Sequence, residues 1–282
     1  LFLKKHFSIE CINDADIVKG FERDYSNMKG NAQAVVKPKN EYECAIILYS
    51  CQKTKIPLTV AAGRTNLNGS ATPNSGIVIS IEKMLFPKPI VQNKKIISPV
   101  GIYLEDMRIE ALNQTKKTLY FPVDPTSRKE AMVGGTLSCN ASGFIPGPTG
   151  SMRYWTECIN FITPTGFKVS CKRGQYISKN GKFILKFPNK SIKWQIPTYP
   201  RPKIKNASGP YSDKDGVIDL VDLIVGSEGI FGLITMATFN LKKMPCKFLD
   251  LFIALPSEKD AINFYYYINK SYNGDLSKIT GL

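Results

Sequence analysis

The sequence predicts an α+β protein, and three observations support this class. Strand-like and helix-like patterns alternate through the first hundred residues, which is typical of an α/β unit. Residues 157–173 carry the two alternating runs and central turn of a β-hairpin. The chain has 282 residues, of which 43% are hydrophobic, so it can bury a substantial core.

A helix is the first clear element, after a short apolar strand at residues 34–36. Asn40 offers an N-cap and Glu43 follows three residues later, which is a variant of the capping box. Apolar side chains then recur at i, i+3, i+4 and i+7, the spacing of one buried helix face. They are Cys44, Ile47, Leu48 and Cys51.

Two further strands, at 56–61 and 76–81, enclose a polar loop at 62–75 that is rich in Gly, Asn, Ser and Thr. A strand at 94–100 and a helix at 102–113 follow. The helix is predicted to point Leu104, Met107, Ala111 and Leu112 inward. Together these segments predict an α/β unit continued by a second one.

The remaining elements are predicted with less regular patterns. Residues 174–215 are rich in Lys, Pro and Asn and are predicted to hold short strands and an ordered loop. Apolar strands are predicted at 221–225, 230–241 and 248–255, and a helix at 258–270. The last strand and helix indicate the beginning of a second domain.

Charge favours an anionic partner without identifying it. The 38 Lys and Arg residues exceed the 23 Asp and Glu residues, which gives a formal charge of +15. Nucleic acid, acidic lipid or a phosphate-bearing cofactor would each suit that charge. The basic residues are scattered, however, so a solvated surface is favoured over nucleic-acid binding, while peripheral contact with acidic lipid stays open.

The cysteine pattern and the lack of a targeting signal in this sequence indicate a reducing compartment. The seven cysteines include no C-x-x-C pair, so neither a metal site nor a disulfide framework is predicted. The sequence shows no signal peptide and no run of 18 apolar residues. We therefore expect a cytoplasmic protein, with the inner face of the membrane as an alternative location.

Several catalytic classes are excluded by residue type. The sole histidine is His6, near the start of the chain, so a Ser-His-Asp triad or a histidine-ligated metal site within the main domain is excluded. No P-loop motif occurs, and no G-x-G-x-x-G opens a helix after a strand. Any phosphate-binding site must therefore use another loop.

The polar loop is the first candidate site. Closely spaced Gly and Asn permit positive φ angles, which let successive backbone N–H groups converge on an anion, and Arg64 adds charge. A diphosphate would suit this loop, and a polar surface turn is the alternative. Its residues are Ala62, Gly63, Arg64, Thr65, Asn66, Leu67, Asn68, Gly69 and Ser70.

Two more Gly-rich stretches complete the candidate site. Residues 134–143 combine two adjacent glycines with short polar side chains, as a flavin requires for its ring face and its hydrogen-bonding edge. Residues 226–235 lead into a strand and suit an adenine or ribose, or are a tight bend. We interpret Glu228 as an acceptor of backbone N–H groups that fixes this loop, and not as a base.

In this order and spacing, the motifs resemble the FAD-binding domain of the vanillyl-alcohol-oxidase (PCMH-type) family, nearest to its D-lactate dehydrogenase and glycolate oxidase branch. The resemblance covers about residues 24–245. Its motifs are GRTNLNGSA at 63–71 with GIVIS at 76–80, PVDP at 122–125, GGTLSCNASG at 134–143, GSMRY at 150–154, KNASG at 205–209 and DLIVGSEG at 222–229.

The resemblance implies roles for particular residues. The loop at 62–70 would hold the diphosphate, and the return strand near Ile234 would border the adenosine together with Glu228 and Gly229. The isoalloxazine would be lined by the intervening motifs. These residues are Pro122, Asp124, Gly134, Gly135, Ser138, Asn140, Ala141 and Gly143. The turn that follows, with Gly150, Ser151 and Arg153, would also contact the cofactor.

The resemblance also implies domain organisation. An N-terminal segment at 1–30 would precede the FAD-binding domain at 31–245, whose two α/β subdomains would span about 31–100 and 101–245. Residues 246–282 would begin a cap domain that covers the substrate, and the family's metal-binding and proton-abstracting histidines lie in that cap. No catalytic residue and no metal ligand is therefore assigned in this chain.

The implied function is FAD-dependent oxidation of a D-2-hydroxy acid such as D-lactate or glycolate, with electrons passed to a quinone or a redox protein. FAD is expected to bind noncovalently, because no histidine lies in the matching loops and Cys139 is not a known attachment point of the family. A noncatalytic FAD-binding subunit that needs a partner chain is the alternative. No nucleic-acid partner is expected.

Overall fold

The computed structural model describes residues 2–146, 148–187, 190–196, 216–247, 249–276 and 279. Its first part is a four-stranded sheet with helices against it. The elements in chain order are α1 (Phe2–Phe7), β1 (Glu10–Ile12), α2 (Ala15–Lys19), β2 (Ala34–Lys37), α3 (Glu41–Thr54), β3 (Leu58–Ala61) and β4 (Ile77–Ser80).

The first sheet has the strand order β1-β2-β4-β3. Strands β2, β4 and β3 are parallel, and β1 is antiparallel to β2. Helix α3 crosses from β2 to β3 and buries the four predicted side chains, while the Asn40 side chain accepts a hydrogen bond from the Glu43 N–H at 2.9 Å. The predicted strands and helix of this unit are thus confirmed.

The second part is a five-stranded antiparallel sheet with short helices. Its elements are β5 (Ile90–Gln92), β6 (Lys95–Pro99), α4 (Leu104–Gln114), β7 (Leu119–Tyr120), α5 (Val133–Ser138), α6 (Met152–Trp155), β8 (Thr156–Ile162), β9 (Lys168–Lys172), β10 (Lys182–Phe187), β11 (Lys190–Gln195), α7 (Leu220–Ile224), β12 (Leu233–Asn240) and β13 (Lys242–Lys243). The sheet has the order β5-β6-β12-β8-β9, and β10-β11 and β13-β7 form separate two-stranded ribbons.

Helix α8 (Glu258–Ser271) follows the second sheet, as predicted. The predicted strand at 248–255 is wrong for the part the structure describes, because residues 249–255 form neither strand nor helix. Their apolar side chains have no sheet to enter, and the Phe252 side chain is fully exposed. Phe248 lies outside the described residues.

Two further predictions are corrected by short helices. Residues 220–224 form α7 where a strand was predicted, because Asp219 caps the helix and every one of its side chains is buried. A short, uniformly apolar run cannot be assigned to strand or helix from periodicity alone. The stretch at 134–143 begins inside α5 and is not a loop throughout.

The N-terminal segment forms part of the first sheet. Strand β1 pairs with β2 through residues 10–12, so residues before 31 supply the edge strand of the first sheet. Ile9 is fully buried in the main core. Among the described residues, no helix combines the length and the apolar character needed to cross a bilayer.

One carboxylate ties the first sheet's α3 to the second sheet. Glu41, at the start of α3, accepts hydrogen bonds from Thr235 Oγ1 at 2.8 Å and Asn160 Nδ2 at 3.3 Å in the second sheet. It also pairs with Lys168 Nζ at 2.5 Å. The largest hydrophobic cluster likewise contains side chains from both sheets and their helices, which fixes their relative position.

Candidate functional site

A cleft lies where the loop between β3 and β4 meets α5 and the turn before β12. We call residues 62–76 the β3–β4 loop. Thirteen residues selected from the sequence line this cleft: Ala62, Gly63, Arg64, Thr65, Asn66, Ser70, Gly134, Gly135, Ser138, Ala141, Glu228, Gly229 and Ile234. Three stretches far apart in the sequence therefore converge on one space.

The β3–β4 loop offers an unusual set of donors. Within the described part of the chain, none of the backbone N–H groups of residues 63–69 has a hydrogen-bond acceptor. Arg64 stands at φ 55°, and its guanidinium likewise has no hydrogen bond or ion pair to any described residue. Unpaired N–H groups beside a cation are the chemistry that binds phosphate oxygens.

The Arg64 guanidinium is held in place by an aromatic ring. Its Cζ atom lies 4.4 Å from the centre of the Phe21 ring, in a cation–π contact. Burial lowers the pKa of Arg64, and the negative charge of Glu82 opposes that effect. Because an arginine stays protonated under any ordinary condition, the cleft carries a fixed positive charge.

Glu228 bridges two walls of the cleft. Its carboxylate accepts a hydrogen bond from Asn68 Nδ2, and its own N–H donates to the Ser138 carbonyl at 2.9 Å. The carboxylate thus connects the turn before β12 to the β3–β4 loop through a side-chain amide. Among the described residues it accepts no backbone N–H group of its own loop, contrary to the prediction. Gly229 beside it has a backbone N–H without an acceptor among the described residues.

The glycines of the site serve mainly close packing. A Cβ atom on Gly63 would overlap the Glu130 carbonyl, and one on Gly134 would lie 2.6 Å from Ile81 Cδ1. A Cβ atom on Gly135 would lie 3.0 Å from Ala62 Cβ. The position of a side chain on Gly134 is thus filled by protein, while both glycines line the cleft. That they border a flat ring stays a prediction.

Ten selected residues lie outside the cleft lining: Leu67, Asn68, Gly69, Pro122, Asp124, Asn140, Gly143, Gly150, Ser151 and Arg153. Several of them pack behind the residues that line the cleft. Arg153 is buried and donates through Nη2 to the Val225 carbonyl at 2.7 Å, while Gly143 packs directly on Asp124. The motif at 205–209 lies outside the described residues.

Asn140 is a buried donor next to the cleft. It is fully buried at φ 46°, and its Oδ1 atom accepts the Arg153 N–H at 2.9 Å. Its Nδ2 atom has no hydrogen-bond partner among the described residues. An unsatisfied buried donor costs about 1–3 kcal/mol, so this amide group favours an acceptor from outside the chain.

Sequence reasoning missed several lining residues: Val60, Ala71, Ile81, Ser127, Ala131, Met132 and Thr136. Val60 and Ile81 lie at the carboxyl ends of parallel strands β3 and β4. Ligands of open α/β sheets bind outside those ends, so strand topology was the signal that could have selected both residues. Ser127, Ala131 and Met132 carried no comparable signal.

The donors and the packing define a class of protein. The cleft between the two sheets offers unpaired N–H groups, a cation and a neighbouring buried amide, and this donor set fits a phosphate-bearing cofactor with a polar heterocycle. The protein family described as FAD binding domain matches residues 32–172. The chain belongs to that family, and FAD is its cofactor, as the sequence motifs predicted.

Similar proteins agree with this assignment. A D-lactate dehydrogenase of Archaeoglobus fulgidus is 31% identical over 230 residues, which cover 81% of this chain and 43% of that enzyme. A D-2-hydroxyglutarate dehydrogenase of Stutzerimonas stutzeri is 25% identical over 253 residues, which cover 88% of this chain and 46% of the enzyme. The chain thus spans less than half the length of these relatives.

A solved structure shows the same fold. An alkyldihydroxyacetonephosphate synthase superposes with a TM-score of 0.60 at 17% identity, over 87% of this chain and 41% of the synthase chain. At that identity the likeness concerns the fold alone. It confirms the predicted α+β architecture.

Proposed function

We propose that this chain is the cofactor-holding part of an FAD-dependent oxidoreductase that acts on a D-2-hydroxy acid such as D-lactate or glycolate. The observation that carries the proposal is the run of unpaired N–H groups of residues 63–66 beside the Arg64 guanidinium, which line one cleft between the two sheets. The similar enzymes are named for D-lactate and D-2-hydroxyglutarate, which share the D-2-hydroxy acid group.

The arrangement of the cleft suggests which part of FAD each lining residue contacts. The loop at 62–70, with Arg64, is proposed to hold the diphosphate. Gly134, Gly135, Ser138 and Ala141 are proposed to border the ring, with the Asn140 amide behind them as a buried donor. Glu228, Gly229 and Ile234 are proposed to border the adenosine.

The remaining selected residues are proposed to support the walls without contacting FAD, because they lie outside the cleft lining. Asp124 and Gly143 pack on each other, and Gly143 donates its N–H to the Gly150 carbonyl at 3.1 Å. The Arg153 guanidinium donates a hydrogen bond to the Val225 carbonyl. Such backing fixes the first layer of residues in its binding geometry.

Noncovalent attachment of FAD is part of the proposal. The thiol nearest to the cleft is that of Cys139, and burial raises its pKa to about 11, assisted by the negative charge of Glu228. A thiol that stays protonated is a poor nucleophile. His6, the sole histidine, is exposed on α1 and does not line the cleft.

Bound FAD supplies a two-electron acceptor for the hydride that leaves the α-carbon of a hydroxy acid. The chain's own residues supply binding, orientation and a water-poor wall. No histidine lines the cleft among the described residues, and the Glu228 carboxylate is engaged by Asn68. We therefore assign no catalytic base.

The missing base supports a second candidate function, a noncatalytic FAD-binding subunit that works with a partner chain. A direct test is whether the purified chain with FAD reduces an artificial electron acceptor when D-lactate or glycolate is added. Turnover would favour the enzyme. Bound FAD without turnover, restored by a partner chain, would favour the subunit.

Electron acceptor and location belong to the same proposal. A quinone or a redox protein is proposed as acceptor, and the charge of +15 supports a peripheral contact with acidic lipid. The seven cysteines are free, which is compatible with the proposed cytoplasmic location. Cosedimentation of the chain with anionic but not neutral vesicles would support the membrane contact.

The cofactor assignment itself is tested by adding FAD to the purified chain. We expect saturable binding, seen as quenching of flavin fluorescence, and full release of the flavin on acid precipitation. A chain that binds no FAD would contradict the proposed function. Flavin that stays with the acid precipitate would contradict noncovalent attachment.

A further inference from the structure

The β3–β4 loop has no regular structure of its own to fix it. Between β3 and β4 it forms neither helix nor strand, yet the N–H groups of residues 63–69 must converge if they are to bind one anion. Ordering a free loop at the moment of binding would oppose binding through the conformational entropy that each fixed residue loses. Groups outside the loop must therefore order it in advance.

A segment at the beginning of the chain supplies this order. We call residues 21–33 the strap. At one end, the Phe21 ring lies under the Arg64 guanidinium at 4.4 Å. At the other end, the Asn31 N–H donates to the Pro73 carbonyl at 2.7 Å. The strap thus runs behind almost the whole loop.

Asp24 is the polar centre of the strap. Only 8% of the residue is exposed. Its Oδ1 atom accepts the Ser26 N–H at 2.9 Å, and its Oδ2 atom accepts Asn66 Nδ2 at 2.5 Å and the Ala71 N–H at 3.3 Å. One carboxylate therefore joins the strap to two points of the loop, Asn66 and Ala71, and both residues line the cleft.

The charge of Asp24 suits these three donors. Burial acts to raise the pKa of Asp24, but hydrogen bonds from Ser26, Asn66 and Ala71 outweigh it and hold the pKa below its ordinary value. An ionised carboxylate offers acceptors only. An amide at the same position would turn a donor toward at least one existing donor.

Asn66 continues the network within the loop. Its Nδ2 atom also lies 2.9 Å from Asn68 Oδ1 and 3.1 Å from Ser70 Oγ. The polar side chains of the loop are thus bonded to one another and to Asp24. The backbone N–H groups of 63–69 stay without an acceptor in the described part of the chain.

We propose that Asp24 is a positioning residue for the cofactor: by accepting the Asn66 amide and the Ala71 N–H, it holds the β3–β4 loop in the conformation that offers its N–H groups to the FAD diphosphate. This inference rests on the proposed function of the loop. Asp24 itself does not line the cleft.

The first test compares FAD affinity in three chains. Asp24→Asn keeps the size of the side chain and removes its charge and one acceptor, so we expect FAD to bind about tenfold more weakly. Asp16→Asn is the control, since Asp16 is exposed on α2 and its side chain has no hydrogen bond within the described residues. Equal affinity of D24N and wild type would overturn the proposal.

The second test reverses the pair. In the double variant D24N/N66D, the amide at 24 can donate to a carboxylate at 66 and accept the Ser26 N–H through its oxygen, but the Ala71 N–H loses its acceptor because it shares the Oδ2 position with residue 66. We expect N66D alone to weaken FAD binding, through two adjacent carboxylates, and the double variant to recover part of the affinity lost by N66D. A double variant that binds no better than either single one would contradict the positioning role.

Hydrogen exchange of the chain without FAD separates this inference from the proposed function. We expect faster exchange of the Ala71 and Thr72 N–H groups, which are hydrogen-bonded in the β3–β4 loop, in D24N than in wild type, with unchanged exchange in α3. If wild type binds no FAD, the proposed function fails, while loop exchange still decides the role of Asp24. If the loop exchanges equally in both chains, the inference fails whatever FAD does.

Discussion

At the scale of single residues, Arg64 combines a strained backbone conformation with a cation that lines the cleft. Its φ of 55° lies in the left-handed region, which costs a residue with a side chain about 1 kcal/mol relative to glycine. Its guanidinium meanwhile has no hydrogen-bonded partner within the described residues and lines the cleft. A strained residue with an unused cation is best explained by a ligand.

Two substitutions separate these properties. Arg64→Ala and Arg64→Gly both remove the cation, so both should weaken FAD binding about tenfold or more, as expected for a lost charge-assisted hydrogen bond. The free energy of unfolding of Arg64→Gly should exceed that of Arg64→Ala by about 1 kcal/mol, because glycine adopts the positive φ without strain.

Arg23→Ala is the control for net charge, since Arg23 is exposed beside the strap's Asp24 and forms no ion pair with the described residues. FAD titration and urea unfolding supply the two measurements. Full FAD affinity in both Arg64 variants would exclude Arg64 as a phosphate ligand.

At the scale of elements, α3 shows what a local pattern can determine. Its N-cap, its first turn and its buried face were all predicted, because capping and the 3.6-residue period act within one segment. Helix α7 shows the opposite case: its five residues carry no periodicity, and the helix is accompanied by the Asp219 cap and by burial on every side.

The cap of α3 can be tested directly. Asn40→Ala removes the acceptor of the Glu43 N–H and should lower the free energy of unfolding by about 1 kcal/mol. Asn113→Ala on α4 is the control, since Asn113 is exposed and its side chain has no hydrogen bond among the described residues, so no loss of stability is expected. Equal stability of N40A and wild type in urea unfolding would show that the cap contributes little.

At the scale of the whole molecule, Glu41 is the carboxylate that connects α3 of the first sheet to the second sheet. Burial acts to raise the pKa of Glu41, but hydrogen bonds from Lys168, Thr235 and Asn160 outweigh it and lower the pKa. A lowered folded-state pKa gives stability that is present above the unfolded pKa and is lost as the pH falls through the folded value. The connection should therefore weaken below about pH 4.5, near the ordinary pKa of a glutamate.

Glu41→Gln tests this connection. We expect a loss of about 1 kcal/mol at pH 7, modest because Lys168 is half-exposed, and a smaller decline of stability between about pH 5 and pH 3 than in wild type. Asp250→Asn is the control, since Asp250 is exposed and has no ion pair in the described ranges. An unchanged acid profile in E41Q would place the acid-sensitive groups elsewhere.

The sequence by itself determined the first α/β unit, the hairpin at 157–173 and the three stretches that meet in the cleft. It could do so because capping, periodicity and short motifs are properties of neighbouring residues. Only the tertiary structure decided which selected residues face the cleft. Asn140 and Arg153 belong to the motifs just as Ser138 does, yet of the three only Ser138 lines the cleft. It also revealed the strap, because Asp24 and Asn66 meet through folding alone and no pattern within either segment predicts their contact.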